Sequence, residues 1–127
     1  GLSPALQESL LCSTCRVILE PESATGMDAS IDLWPDWWRA GDVEAFASAY
    51  LDGMAAEPDQ ALAREYHAAL VTDRNARMAR RMAEWLETGE THFVTLGLLH
   101  LVLDGDSVLT CLEEMGYTVE RILPKEV

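Results

Sequence analysis

The sequence predicts a helix-rich α/β fold in which several amphipathic helices precede a β-α-β unit with parallel strands. Apolar residues recur at helical spacing over residues 3–88. Two strand-like segments, about 92–97 and 117–123, then flank one short helical segment. A strand, a helix and a strand in so few residues indicate a right-handed crossover. Because two strands are too few for a sheet, we expect this β-α-β part, about 91–123, to belong to a larger one.

The chain opens with a predicted amphipathic helix over residues 3–20. Ser3 is a plausible N-cap, and Pro4 suits the first helical position because its missing N–H costs nothing there. Residues 21–26 break the pattern and are predicted to form a loop. The tryptophan-rich run 28–40 then indicates a helix or helical turns.

Pro35 is tolerated near the start or a kink of that run, and Gly41 is predicted to end it. Asp42 is expected to cap the next helix, and Pro58 to open a further helical segment. Tryptophans at helix junctions bury large areas. We therefore interpret this part of the chain as packing surface rather than as a ligand platform.

The helix predicted from Thr72 to about Thr88 places a polar residue on its apolar face. At 100° per residue, Asn75 lies near the middle of this face, and Arg74 flanks it. A buried amide must find partners, since an unpaired one costs about 1–3 kcal/mol. Two interpretations stay open. In the first, Asn75 satisfies the hydrogen-bonding capacity of loop carbonyls at the start of the helix. In the second, Arg74 and Asn75 reach a pocket beside His100.

The strand predicted over residues 92–97 delivers His100 at its exit, where an imidazole can point into a cleft. A loop through Asp104 and Gly105 follows. Asp106 or Ser107 is then predicted to cap a short helix that ends at Gly116. Taken alone, His100 is read as a structural histidine at a strand end.

Length and charge exclude several classes of protein. The 127 residues suffice for a single domain over 1–127 with its own core. A net charge of −13 argues against nucleic acid as a partner, and no apolar run is long enough to span a membrane. Localisation stays open. Four of the nine basic residues crowd one segment, which favours a solvated helix face over an anion site; they are Arg74, Arg77, Arg80 and Arg81.

Three cysteines leave the redox compartment open. Cys12 and Cys15 form a C-x-x-C pair, but no second such pair completes a zinc site. The pair lies within an apolar helical pattern. We interpret both as buried or half-buried structural thiols, with a disulfide and a metal or redox site as alternatives.

Four stretches carry a family resemblance. They are a W-R-x-G-D turn at Trp38–Asp42, an acidic-R-N-x-x-M-A pattern at Thr72–Ala79, a strand with G-x-x-H at Phe93–Leu101, and an L-x-x-x-G-Y-x-V pattern at Leu112–Arg121. In this order and spacing, over residues 36–123, the chain resembles the carboxy-terminal half of the TraB/GumN family. That family includes the Tiki-type membrane metalloproteases.

The resemblance implies a metal-dependent hydrolase of peptide or ester bonds, with a divalent ion held by histidines and carboxylates from two halves. His100 would be a metal ligand or an orienting residue. Arg74 would stabilise a developing oxyanion or hold a carboxylate. Asp73, which stands where the family often has Glu, and Asn75 would support the site.

One imidazole is an incomplete metal site, since hydrolytic centres usually need three protein ligands. The other ligands would come from a missing amino-terminal half or a second copy, and we expect the isolated chain to hold no metal. The alternative function is a non-catalytic interaction or assembly module that retains the fold. A metal-binding or redox domain centred on Cys12 and Cys15 is a third hypothesis. Unpaired strand edges and a tryptophan-rich surface predict self-association.

Overall fold

The computed structural model describes residues 1–24 and 26–122, and every regular element within them is helical. No helix in these residues is long and apolar enough to cross a membrane. Short 3₁₀ turns cover Pro21–Ser23 and Ile31–Leu33, and a π turn covers Ala68–Thr72. The α-helices are α1 (Pro4–Leu19), α2 (Gly26–Ala29), α3 (Trp34–Ala40), α4 (Val43–Ala56), α5 (Gln60–His67), α6 (Asp73–Leu86), α7 (Leu99–Val102) and α8 (Val108–Glu114).

The predicted α/β class is wrong, because the described part of the chain contains no strand and so no β-α-β unit. Side chains over 93–96 and 117–120 do alternate between exposed and half-buried, which is the pattern that suggested strands. However, within the described residues no backbone hydrogen bond joins the two segments. Alternating burial needs only a chain lying on a core, whereas a strand also needs a hydrogen-bonded neighbour. Leu123, the last residue of the second predicted strand, lies outside the described residues.

The chain divides into two compact units, residues 1–73 and the residues from Arg74 onward. This boundary lies at the start of α6. The expectation of one domain over residues 1–127 stays a prediction.

Helix caps in the first unit follow the sequence closely. Ser3 caps α1 by accepting a hydrogen bond from the Leu6 amide, and Asp42 caps α4. Gly41 ends α3 in the left-handed region, with φ of 68°. These three predictions are confirmed. Pro58 is predicted to open the next helical segment, and α5 begins two residues later at Gln60 with Asp59 as its cap. The Asp59 carboxylate accepts from the amides of Ala61 and Leu62.

The core of the first unit is aromatic where α3 meets α4. Phe46 is buried, and the ring of Trp37 meets it edge-on at 5.2 Å between centroids. Trp34 lies 6.0 Å from the same ring. The expectation that these tryptophans pack inward is confirmed for Trp34 and Trp37, whereas Trp38 is exposed. Elsewhere in this unit the buried residues are Leu6, Tyr50, Ala63 and Val71.

A polar contact ties α1 to α5. The backbone amide of Ser3 donates to one carboxylate oxygen of Glu65 at 2.6 Å, and its hydroxyl donates to the other at 2.7 Å. These hydrogen bonds favour the charged carboxylate, so they lower the pKa of Glu65. The amino end of α1 is therefore held by Glu65 as well as by the burial of Leu6.

The second unit is built around α6 and α8. Ser107 caps α8, as predicted, and Gly116 follows it with φ of 92°, a region that favours glycine. After the helix, the Tyr117 hydroxyl donates to Glu87 at 2.7 Å. The core consists of Ala79, Val108 and Leu112, surrounded by Met78, Met82, Ala83, Leu96, Cys111, Tyr117 and Val119.

Trp85, near the end of α6, interacts with two polar side chains. The guanidinium of Arg81 lies 5.3 Å from its ring centre. The imidazole of His92 stacks on it with ring centres 5.7 Å apart and planes at 25°. Arg81 also forms an ion pair with Glu84.

Candidate functional site

His100 lies on the single turn α7 instead of at a strand exit. Its backbone amide donates to the Gly97 carbonyl at 3.0 Å, so the G-x-x-H motif closes a turn. The ring edge also lies over Gly97, where an added Cβ would be 3.7 Å from His100 Cδ2, an ordinary contact. The histidine is half-buried, and its position depends on this turn.

Asn75 links His100 to the loop that precedes α8. Its side chain is fully buried on α6. The amide nitrogen donates to the Asp106 carbonyl at 2.9 Å, and the amide oxygen lies 2.7 Å from His100 Nδ1. The interpretation in which Asn75 satisfies a loop carbonyl is confirmed, and Asn75 also contacts His100. A pocket beside His100 that Arg74 and Asn75 reach stays a prediction.

The network fixes the proton arrangement of His100. A carbonyl can only accept, so the Asp106 carbonyl requires the Asn75 nitrogen on its side and directs the oxygen toward the imidazole. An amide oxygen also only accepts, so His100 Nδ1 must carry the proton. In the neutral ring this leaves a lone pair on Nε2, which is the atom that can bind a metal ion or accept a proton.

Two effects keep this imidazole neutral. Burial lowers the pKa of His100 because it disfavours the charged ring, and the nearby positive charge of Arg74 lowers it further. Both effects lower the pKa of His100 from its ordinary value of 6.5. The Nε2 lone pair is thus available near neutral pH.

The remaining predicted site residues lie at the start of α6. Arg74 is exposed, yet its charge acts on His100. Asp73 is the first residue of α6 and is also exposed. The hydrogen bonds of the site join His100, Asn75 and the Asp106 carbonyl, and none of them involves Asp73.

The residues fit a metal ion only in part. A neutral imidazole with a free Nε2 is a good ligand for a divalent ion. Among residues 1–24 and 26–122, however, no three His, Cys, Asp or Glu side chains are grouped to hold one. His100 is thus one candidate ligand rather than a complete centre.

One feature of the site and one feature of α1 could not be predicted correctly from the sequence. The Asp106 carbonyl holds Asn75, but a backbone acceptor leaves no signal in residue type. Cys12 and Cys15 are exposed and free, so their interpretation as buried or half-buried thiols is wrong. Leu11 and Ile18 on α1 are exposed as well, whereas Leu6 is buried. The apolar pattern therefore did not identify the side of the helix on which the thiols lie.

Comparison with known proteins gives a family match over nearly the whole chain. The model of the TraB/PrgY/gumN family matches residues 1–121. No curated protein matches the chain, and no solved structure does.

Proposed function

This chain belongs to the TraB/PrgY/gumN family, and we propose that it carries the His100 part of a metal-dependent hydrolase of peptide or ester bonds, as in Tiki-like metalloproteases. One observation carries the proposal: buried Asn75 orients the imidazole and leaves its Nε2 lone pair free. A histidine that ligates a catalytic metal usually donates its other ring proton to an oxygen acceptor. The Asn75 amide oxygen supplies that acceptor here.

Each predicted residue has a distinct role in this proposal. His100 binds the metal through Nε2, and Asn75 positions the ring. Arg74 stabilises negative charge that develops on the substrate, or holds a carboxylate. Asp73 has a supporting role. When bound, the ion would supply an activated water near neutral pH.

The other metal ligands belong, in this proposal, to an amino-terminal half or to a second copy. Catalytic zinc sites typically use three protein ligands, and the chain offers His100 toward such a set. The chain is then a carboxy-terminal half whose activity depends on its completion.

The test uses the longest natural form of the protein that contains this chain. We would measure bound divalent metal by elemental analysis and hydrolysis of a panel of peptides and esters. His100→Ala is expected to reduce bound metal and to lower hydrolysis by at least about 100-fold, the size of effect expected when a group essential to catalysis is lost.

His92→Ala is the matched control, because His92 is an exposed histidine of the same unit that bonds Thr88 and stacks on Trp85. This variant is expected to keep both metal and activity. Retention of metal and activity by His100→Ala would contradict the proposal, as would equal losses in the two variants.

A non-catalytic interaction or assembly module is the second candidate. The observation that favours it is the bridge from His100 through Asn75 to the Asp106 carbonyl. This bridge joins α6, α7 and the loop before α8, and it would stabilise the unit without any chemistry. The same experiment separates the two, since a module would lack metal-dependent hydrolysis while His100→Ala lowers its stability.

A further inference from the structure

Helix α1 carries apolar residues on two opposite sides. Its inner side holds Leu6, which is buried, and Leu10 and Val17, which are half-buried. At 100° per residue, a second group lies within an arc of about 120° centred opposite Leu6. This group, the outer stripe, consists of Leu11, Cys12, Cys15, Ile18 and Leu19, all of them exposed.

The apolar side chains of the outer stripe are more exposed than is usual for a surface helix. The exposed fractions are 65% for Leu11, 71% for Ile18 and 79% for Leu19. A surface helix usually has one apolar side and one polar side, whereas a helix that is apolar all round is buried. The stripe therefore has the composition of a surface that another molecule covers.

The distribution of charge indicates where two copies of this chain repel one another least. Between Glu8 and Glu20 the one charged residue is Arg16, which lies at the flank of the stripe, although the chain carries a net charge of −13. Two copies of so acidic a protein repel one another over most of their surfaces. The uncharged outer stripe is where that repulsion is weakest.

The outer stripe is also complementary to itself. Leu11 and Leu19 lie four residues on either side of Cys15, and Cys12 and Ile18 lie three residues on either side. A twofold interface requires one surface to match its own copy. Reversal about Cys15 sets leucine against leucine, cysteine against isoleucine and Cys15 against itself.

We propose that α1 packs antiparallel against α1 of a second copy, with the twofold axis at Cys15. A parallel pair would set the two helix dipoles side by side in the same direction, which is unfavourable, whereas an antiparallel pair opposes them. Specific interfaces bury at least about 1,000 Å² in total, and five side chains per copy reach only the low end of this range. The pair is therefore weak and reversible. This inference is independent of the proposed hydrolase.

The two cysteines make the arrangement testable. In the antiparallel pair Cys15 faces its copy, whereas the two copies of Cys12 are displaced by six residues, or about 9 Å along the helix axes. Disulfides need Cα atoms within about 7 Å. Diamide would accept the two electrons and two protons that two Cys15 thiols release as the disulfide forms.

The experiment oxidises the full chain with diamide and maps disulfides by mass spectrometry of a non-reduced digest. We expect a dimer joined through Cys15 alone. Cys12→Ser should still cross-link, whereas Cys15→Ser should lose nearly all of the dimer. In reduced protein, Ile18→Gln should shift the dimer equilibrium measured by sedimentation toward the monomer at least several-fold.

Leu33→Gln is the matched control, since Leu33 is 51% exposed in the same unit and lies off the outer stripe. It should leave both cross-linking and sedimentation unchanged, and circular dichroism should show all variants folded. Equal cross-linking through Cys12 and Cys15 would overturn the proposal. So would a Cys12–Cys15 bond within one chain as the main product, or sedimentation as a monomer that Ile18→Gln does not change.

Discussion

Asn75 gives His100 an oxygen acceptor without adding a charge. A carboxylate at this position would also accept the Nδ1 proton, but its negative charge would stabilise the imidazolium and raise the pKa of the ring. A carboxylate would also have no N–H to donate to the Asp106 carbonyl. The amide satisfies both neighbours at 2.7 and 2.9 Å, and so it orients a neutral ring.

The charge of Arg74 can be removed by mutation to test its effect on the pKa of His100. Arg74→Gln should raise the pKa of His100, because a repelling positive charge is removed, but the pKa should stay below 6.5 because burial still acts. The ring Cε1–H signal, followed by NMR over a pH titration, reports this pKa directly.

Arg80→Gln is the control for that titration. Arg80 is also exposed on α6, and its Nε donates to the Ala76 carbonyl of its own helix. The pKa of His100 should stay at its wild-type value in this variant. A fall in the Arg74→Gln variant, or an equal rise in both, would show that Arg74 does not act on the ring.

The burial of Asn75 could be predicted from the sequence because it depends on one helix. The helical period sets Asn75 one turn before Ala79, and both are fully buried. The contact between Asn75 and His100 could not be predicted from local pattern, because 25 residues separate the two. It was suggested by the order of the family motifs along the chain. No property of residue 106 predicted that its carbonyl would complete the network.

At the scale of elements, the helix caps were predicted correctly from nearby residues, whereas the strands, which need a partner distant in sequence, were not. Ser3, Asp42 and Ser107 each cap the helix that the sequence assigned to them, because a cap bonds to amides two or three residues away. The segment 92–97 has the alternation of a strand, but it pairs with no strand in the part of the chain that the structure describes. Local residue pattern cannot supply that partner, and the turn α7 likewise gave no periodic signal.

The cap of α8 should be worth a measurable part of the stability. The Ser107 hydroxyl accepts from the Thr110 amide at 3.1 Å and is buried, and α8 contributes Val108 and Leu112 to the core. Ser107→Ala should lower the free energy of unfolding by about 1 kcal/mol. Urea unfolding followed by circular dichroism measures it.

Ser13→Ala is the comparison, because Ser13 is an exposed serine inside α1 and not a cap. It should change the free energy of unfolding by less than about 0.5 kcal/mol. If Ser107→Ala proved as stable as Ser13→Ala, the hydroxyl would not be stabilising α8.

At the scale of the whole molecule, acid should destabilise the fold in two steps. The pKa of His100 is lowered from 6.5, mainly by burial, so below pH 6.5 the unfolded chain takes up a proton that the folded chain resists. The pKa of Glu65 is lowered from 4.5 by its hydrogen bonds with Ser3. Both contributions are present above the unfolded pKa and are lost as pH falls through the folded one.

Urea midpoints measured from about pH 7.5 to about pH 3 would show both steps. His100→Gln should flatten the step that begins near pH 6.5, and Glu65→Gln the step that begins near pH 4.5. Stability that is constant, or that rises on acidification between these values, would contradict the assignment.

The position of Trp85 makes the two units separable by fluorescence. Three of the four indoles, at residues 34, 37 and 38, belong to the first unit, whereas Trp85 belongs to the second. Replacement of those three by phenylalanine would leave a single emitter in the unit that contains His100. Because His92 stacks on that emitter and Arg81 lies over it, its quantum yield would report the local environment of α6 during denaturation or titration.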